Sequence, residues 1–350
     1  MKIIAAVLEQ CGQPLQLLEL EIPKLERGQV LVKIAYSAIC RSQLMEINGL
    51  RGRDPWLPHL LGHEASGTVV DVGAEVTKVA PGDDVILTWI QSSGIESATP
   101  EYSYQGRIIN AGPITTFSNY SIVSENRVVL KPDELDMEVA ALFGCALATG
   151  SGMALNELDI KMDQSVLVLG LGGVGMSALL TLLAMGVKNV FAADMAKARC
   201  ELAAKFGANA FLFESGSELE AAITQNIPHG LDYCIEAGGS TDSIELGFTL
   251  VNADSGKLLF ASHPPSGQKI ELDPHQLIRG KSIKGSWGGQ INPDKDIPVL
   301  MEIFAKNKTD LRELTKDKFT LQEINTAVSL FDKGDVFRPI ITMGHNLEML

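Results

Sequence analysis

The sequence predicts an α/β chain of two lobes, an all-β lobe first and a doubly wound parallel-sheet lobe after it. Three observations predict this. Residues 1–150 read as short strands with turn signals between them. From about residue 160 strands and helices alternate, which implies right-handed βαβ units and a parallel sheet. A glycine-rich turn joins the first strand of that alternation to its helix.

The apolar start Ile3–Leu8 stops at Glu9. It is shorter than a secretory h-region and reads as a first strand. Gln29–Ile34 and Gly67–Val72 are strand patterns, and Pro81-Gly82-Asp83 is a turn ahead of Val85–Leu87. Gly94–Gly112 is polar, without a clear period, and reads as a loop. Further on, strands are expected at Val166–Gly170, Val190–Asp194, Ala210–Phe213, Asp232–Glu236, Leu258–Ser262 and Ser282–Ser286. Six of them match two mononucleotide-binding halves. Lys197–Phe206 is a helical pattern closed by Gly207. After Gly289 come helical patterns at Pro298–Asn307 and Leu321–Lys333, then a strand at Arg338–Met343 that returns to the first lobe.

Ser165–Val187 carries no charged residue, long enough to count as a candidate membrane span. Gly170, Gly172, Gly173 and Gly175 break it near its start. Ser165–Leu169 then reads as a strand buried on both faces, and Gly175–Met185 as a buried helix closed by Gly186.

Composition bounds the function. There are 29 Lys and Arg against 43 Asp and Glu, a net charge of −14. A field of that sign repels phosphate backbones and anionic lipid, so neither nucleic acid nor a membrane surface is expected as a partner. Cys11, Cys40, Cys145, Cys200 and Cys234 are odd in number, irregularly spaced and without a CxxC pair. That usage fits a reducing, cytoplasmic compartment.

Gly170-Leu171-Gly172-Gly173-Val174-Gly175 is a GxGxxG between a buried strand and a helix, where backbone N–H groups meet a pyrophosphate. An acidic residue is expected about 20 residues on. Asp194 lies 19 residues past Gly175, at the end of the second strand. A carboxylate there accepts from the ribose hydroxyls and repels a 2′-phosphate, which favours NAD over NADP. Arg199 lies close enough to tolerate a phosphate.

Cys40, His63 and Cys145 are three soft or borderline ligands on three segments. Catalytic zinc takes three protein ligands and keeps a fourth position open. Taken singly, a Cys is more often a small core residue and a His a satisfied structural one. His59, His229, His263, His275 and His345 have no comparable context and read as structural or exposed. Cys11, Cys200 and Cys234 read as core or surface thiols.

The neighbouring residues add more. Cys40-Arg41-Ser42, Gly62-His63-Glu64-Ala65-Ser66-Gly67 and Gly144-Cys145-Ala146-Leu147-Ala148-Thr149-Gly150 precede the GxGxxG, and Gly285-Ser286-Trp287-Gly288-Gly289, Asp296-Ile297-Pro298, Glu323-Ile324-Asn325 and Arg338 follow it. This ordered set resembles the zinc-containing alcohol dehydrogenases of the medium-chain dehydrogenase/reductase superfamily, over nearly the whole chain. The resemblance implies a GroES-like catalytic lobe, residues 1–147 completed by 289–350, and a Rossmann lobe, residues 148–288, with the active site in the cleft between them. It implies one catalytic zinc on Cys40, His63 and Cys145, with Glu64 beside it. Ser42 would take the substrate proton and Trp89 line the substrate pocket. Arg41 and Arg338 would meet the cofactor pyrophosphate, and Thr149 and Val174 the nicotinamide.

Three departures from the family pattern stand out. Many members hold a structural zinc on four cysteines in a loop, but Thr88–Gly112 has no Cys, so no structural zinc is expected. Gln43 stands where a ligand-orienting Asp is common, and Met45 where some relatives carry a relay His. The activity implied is hydride transfer between a primary or secondary alcohol, or the corresponding carbonyl, and NAD, in a homodimer or homotetramer. A polyol or sugar dehydrogenase is the alternative. A zinc-free quinone or enone reductase and a non-enzymatic NAD-binding protein are further ones.

Overall fold

The computed structural model describes residues 1–344; His345, one of the histidines read as structural or exposed, lies outside them. The chain forms two compact units. The first comprises Met1–Cys145, Asn292–Pro298 and the segment from Asp310 onward. The second comprises Ala146–Ile291 and Val299–Thr309, so part of the segment expected to complete the first lobe groups with the second.

The first unit is built around the strand Gln29–Ala38. It pairs antiparallel with Glu64–Val72, with Tyr120–Ser124 and with Ile340–Thr342. Its alternation puts Val30, Val32 and Ile34 into the core, each at most 1% exposed. The C-terminal strand does return, Ile340 opposite Ala38. A second sheet carries Lys2–Leu8 paired with Gln16–Glu21.

Two expectations for this unit need correction. It is not all-β: the helices Arg41–Ile47 and Met137–Leu142 belong to it, each too short to show a period in the sequence. The 94–112 segment is not wholly a loop, because Tyr102–Tyr104 and Arg107–Ile109 form a hairpin. Gln105 and Gly106 both adopt positive φ, 51° and 79°, as the two central residues of a tight hairpin turn require. Tyr102 anchors it, fully buried, its hydroxyl oxygen accepting from the Ile122 N–H at 2.9 Å.

The second unit is a six-stranded parallel sheet in the order Asn209–Leu212, Asn189–Asp194, Ser165–Leu169, Tyr233–Glu236, Lys257–Phe260, Ser282–Gly285. That is the 3-2-1-4-5-6 order of a doubly wound dinucleotide-binding sheet. The uncharged stretch divides as expected. Its strand Ser165–Leu169 is buried throughout, and the helix Gly173–Ala184 buries every residue from Gly175 to Leu182. Among the described residues no helix is long and apolar enough to cross a membrane.

The expected helix at Pro298 starts earlier, running Pro293–Lys306 with Pro298 inside it. Asn292 sets the earlier start: its N–H donates to Asp296 Oδ2 at 2.8 Å, its Oδ1 accepts from the Lys295 N–H at 3.3 Å, and Pro293 follows as the first helical residue.

Candidate metal and cofactor sites

Three turns in the first unit bring the soft ligands together. Cys40 is the N-cap residue of the helix Arg41–Ile47, with extended backbone. His63 follows Gly62, whose φ of 91° suits a residue without a Cβ, and precedes the strand Glu64–Val72. Cys145 follows Gly144, where a Cβ would lie 2.2 Å from the Leu87 carbonyl oxygen and 2.6 Å from Glu64 Cβ. Only glycine lets that backbone come so close. The ligand atoms of Cys40, His63, Glu64 and Cys145 all lie within 4.8 Å of one another.

The two thiols titrate as a pair: the contact with Cys40 and burial push the Cys145 thiol well above its usual range. The hydrogen bond from Cys145 holds the Cys40 thiol well below its usual range despite burial, and His63 and Arg338 act in the same direction. His63 Nε2 stands 3.2 Å from Cys145 Sγ, and Trp89 Nε1 donates to the same sulfur at 3.2 Å. The Trp89 ring meets His63 edge-on, centroids 6.5 Å apart. Two sulfurs and an imidazole nitrogen converging in this way are a donor set for zinc.

Gln43 has two jobs. Its Oε1 accepts from the Cys40 N–H at 2.7 Å, and its Nε2 contacts His63 Nδ1. Gln43 thus touches both Cys40 and His63, at a position where an Asp would offer His63 a carboxylate acceptor.

Glu64 is fully buried, and Arg338 Nη2 donates to its Oε1; the Arg338 side chain is 4% exposed. The sequence did not suggest this pair. Arg338, for which the resemblance implied a pyrophosphate contact, thus sits beneath the cluster on a carboxylate, while Arg41 is exposed. Ser42 Oγ is shielded from solvent and has no hydrogen-bond partner among the described residues.

The cysteine-free loop is held by carboxylates and hydroxyls. Glu125, 1% exposed, accepts from the N–H groups of Thr77 at 2.7 Å, Lys78 at 2.9 Å and Ile95 at 2.7 Å. Ser92 Oγ accepts from Lys78 Nζ at 2.7 Å, and Ser93 donates both its N–H and its hydroxyl to Asp294. Arg127 Nη1 donates to the Trp89 carbonyl, which ties this network to the tryptophan beside Cys145.

In the second unit the glycines each have a distinct reason. Gly170 has φ of 88°, and a Cβ there would lie 2.5 Å from the Gly238 nitrogen. A Cβ on Gly175 would lie 1.8 Å from the Gly170 carbonyl oxygen, so this glycine lets the helix close on the strand. A Cβ on Gly172 would meet nothing within 4 Å, which leaves open space at the helix start beside Gly173. Asp194 Oδ2 accepts from the Leu171 N–H at 2.6 Å and Oδ1 from the Ala196 N–H at 2.8 Å. Arg199 Nη1 lies 3.6 Å from Asp194 Oδ2. Thr149 is buried, its Oγ1 without a partner among the described residues. A Cβ on neighbouring Gly150 would lie 2.0 Å from the Val174 carbonyl oxygen, so Thr149 and Val174 stand close.

Sequence reasoning missed Glu236, at the end of the fourth sheet strand in chain order. Its Oε1 accepts from the Gly238 N–H at 2.7 Å and from the hydroxyls of Ser243 at 2.7 Å and Ser262 at 2.9 Å. It pins the Gly238 turn against Gly170, and burial pushes its carboxyl up. An acidic residue closing that strand ahead of Ala237-Gly238-Gly239 was the available signal.

Comparison with known proteins agrees with this arrangement. Residues 26–133 match the family described as alcohol dehydrogenase GroES-like domain, and residues 173–306 match zinc-binding dehydrogenase. The chain is 27% identical to S-(hydroxymethyl)glutathione dehydrogenase of Escherichia coli, over 97% of this chain and 100% of that one. Benzyl alcohol dehydrogenase from Acinetobacter calcoaceticus superposes with a TM-score of 0.88 at 27% identity, covering 98% of this chain and 100% of the other. An alcohol dehydrogenase zinc-binding domain protein from Burkholderia ambifaria gives 0.89 at 25% identity, covering 99% and 100%. The two family matches, the two folds and the ordered ligand segments together make this chain a member of the zinc-containing alcohol dehydrogenase family of medium-chain oxidoreductases.

Proposed function

We propose that the protein is a zinc-dependent, NAD-linked dehydrogenase that moves a hydride between a primary or secondary alcohol and the nicotinamide. The observation that carries this reading is the convergence of Cys40, His63 and Cys145 within 4.8 Å, next to a Ser42 hydroxyl with no partner among the described residues. One ion per chain is proposed, since the loop that holds a second zinc in many relatives is braced by Glu125 instead.

Cys40, His63 and Cys145 would hold the metal. Bound zinc supplies Lewis acidity and bound nicotinamide the hydride acceptor. Ser42 Oγ, shielded from water, accepts the proton of the substrate hydroxyl. Met45 has no group that could relay a proton from Ser42. Glu64 and Arg338 neutralise each other beside the cluster, and Trp89 packs against His63 and Cys145. Asp194 offers acceptors to the ribose hydroxyls and charge against a 2′-phosphate. The space at Gly172 and the helix start after it suit the pyrophosphate, and Thr149 and Val174 the nicotinamide. The exposed residues of the edge strand Ser282–Gly285 support assembly of copies along that edge, and free cysteines support a cytoplasmic setting.

The test is a panel of aliphatic and aromatic alcohols with NAD, read at the absorbance of reduced nicotinamide. The reading predicts turnover that falls about a hundredfold in Ser42→Ala and vanishes in Cys40→Ala. Turnover of quinones or enones by metal-free protein would replace it with a reductase. Tight NAD binding without hydride transfer to any alcohol, unaffected in Cys40→Ala, would replace it with a non-enzymatic binding protein.

A further inference from the structure

A cavity of about 390 Å³ lies in the first unit, with Gln43 and His63 in its wall. The same wall carries Glu46, His59 and Asn110. Ala111 and Gly112 leave it wide, and a Cβ on Gly112 would meet only the Ile114 carbonyl oxygen, at 3.6 Å.

The polar groups of this wall differ in what they have left to offer. Both nitrogens of His59 are engaged, Nδ1 with the Leu60 carbonyl oxygen at 2.9 Å and Nε2 with Asp54 Oδ2 at 2.8 Å. Asp54 also accepts from the Trp56 N–H at 2.9 Å. Glu46 is different. Its carboxylate is 3.9 Å from His59 Nε2 and 3.6 Å from Arg51 Nη1, both longer than a hydrogen bond. Among the described residues nothing donates to it at hydrogen-bond distance. Asn110 gives its Nδ2 to the Trp56 carbonyl at 2.7 Å, which leaves its side-chain oxygen as an acceptor. The wall therefore offers acceptors, the partly exposed Glu46 carboxylate and the Asn110 side-chain oxygen, that a ligand can reach. Leu60, Leu61 and Ile114 supply apolar surface for a carbon chain.

A ligand that satisfies this wall brings hydrogen-bond donors on a carbon skeleton. Ammonium is the poorer choice, because the Arg51 guanidinium already offsets the charge of Glu46. Neutral hydroxyl groups fit without adding charge. We infer that this cavity receives the additional hydroxyl groups of the substrate, that polyols are preferred over simple alcohols, and that Glu46 is the specificity-determining residue. The inference rests on the reading of the Cys40–His63–Cys145 cluster as the reacting centre. The reaction itself is unchanged: bound NAD would supply the hydride acceptor, and Ser42 would take the proton of the reacting hydroxyl.

The test compares matched pairs on the zinc-loaded holoenzyme, 2-butanol against 2,3-butanediol and 1-hexanol against a hexitol. For each pair kcat/KM is expected to favour the polyol by about tenfold or more, the value of one hydrogen bond to a charged acceptor. In Glu46→Ala the polyol-to-alcohol ratio should collapse by about the same factor, mostly through KM. In Gly112→Leu, which fills the cavity from a position with room for a side chain, the hexitol should lose more than the butanediol. Binding of the hexitol is measured separately by calorimetry in the zinc-loaded protein without NAD, for wild type and Glu46→Ala. Oxidation of simple alcohols with no polyol preference, a ratio unmoved by Glu46→Ala, or a preference for amino alcohols would overturn the inference and leave the dehydrogenase reading intact. Glu46-dependent hexitol binding with no oxidation of any alcohol would uphold the cavity assignment and remove the dehydrogenase reading instead.

Discussion

The indole Nε1 of Trp89 donates a hydrogen bond to Cys145 Sγ across 3.2 Å. An N–H directed at a ligand sulfur stabilises the thiolate and fixes its orientation. Removing such outer partners typically weakens metal affinity by about 10- to 100-fold. Trp89→Phe leaves a smaller aromatic ring beside His63 and removes the N–H donor. It should weaken zinc binding by about tenfold, read by competition with a chromophoric chelator. An unchanged affinity would show that this contact does nothing for the site.

Glu125 braces the loop that has no cysteines. Its neutralisation by Glu125→Gln should cost about 2 kcal/mol, because charge-assisted hydrogen bonds to backbone N–H groups are lost or inverted. Burial pushes this carboxyl up, but the N–H groups of Thr77, Ile95 and Lys78 prevail and hold it below its ordinary value. A carboxyl depressed in the folded state gives its full stabilisation above the unfolded-state pKa of about 4.3 and loses it as pH falls through the folded value. Urea unfolding at a series of pH values should thus show a steeper acid decline in wild type than in Glu125→Gln. Parallel declines would contradict this.

The Glu64–Arg338 pair lies 274 residues apart in sequence and is almost sealed from solvent. Arg338→Met removes the charge that balances the buried Glu64 carboxylate, at a cost of about 3–5 kcal/mol. The double variant Glu64→Gln with Arg338→Met removes both charges and should recover much of that loss. Chemical denaturation measures both. Strict additivity of the two single effects would rule out the coupling.

At the dinucleotide turn, folding and binding should separate. A Cβ on Gly172 meets no neighbour, so Gly172→Ala should melt within a few degrees of wild type yet bind NAD much more weakly. Asp194→Gly should relax discrimination against NADP, since it removes the charge that repels a 2′-phosphate. Calorimetric titration with both cofactors reads each effect. Wild-type affinity in Gly172→Ala, or unchanged cofactor preference in Asp194→Gly, would contradict the cofactor assignment.

What the sequence made legible follows from short-range rules. The strands of the parallel sheet were readable because sequences such as Ser165–Leu169 and Asn189–Asp194 are apolar, rich in β-branched or small residues and bounded by glycine or helix signals. The cluster of Cys40, His63 and Cys145 was legible only through the resemblance of the segments around them to a known family; taken singly, each reads as a core cysteine or a structural histidine. The 102–109 hairpin was missed because its strands are three residues long and Gln-Gly is a weaker turn signal than Asn-Gly. Arg338 on Glu64, Trp89 on Cys145 and the Glu46 carboxylate in the cavity wall are tertiary facts. No periodicity brings those residues together, and only the folded chain does.

The central claim is that Cys40, His63 and Cys145 hold one zinc per chain. Elemental analysis of freshly purified, chelator-washed protein tests it most directly, on wild type and on Cys145→Ser. The account predicts one zinc per chain in wild type and none retained in the variant. No zinc in wild type, two per chain, or a full equivalent surviving in Cys145→Ser would contradict it.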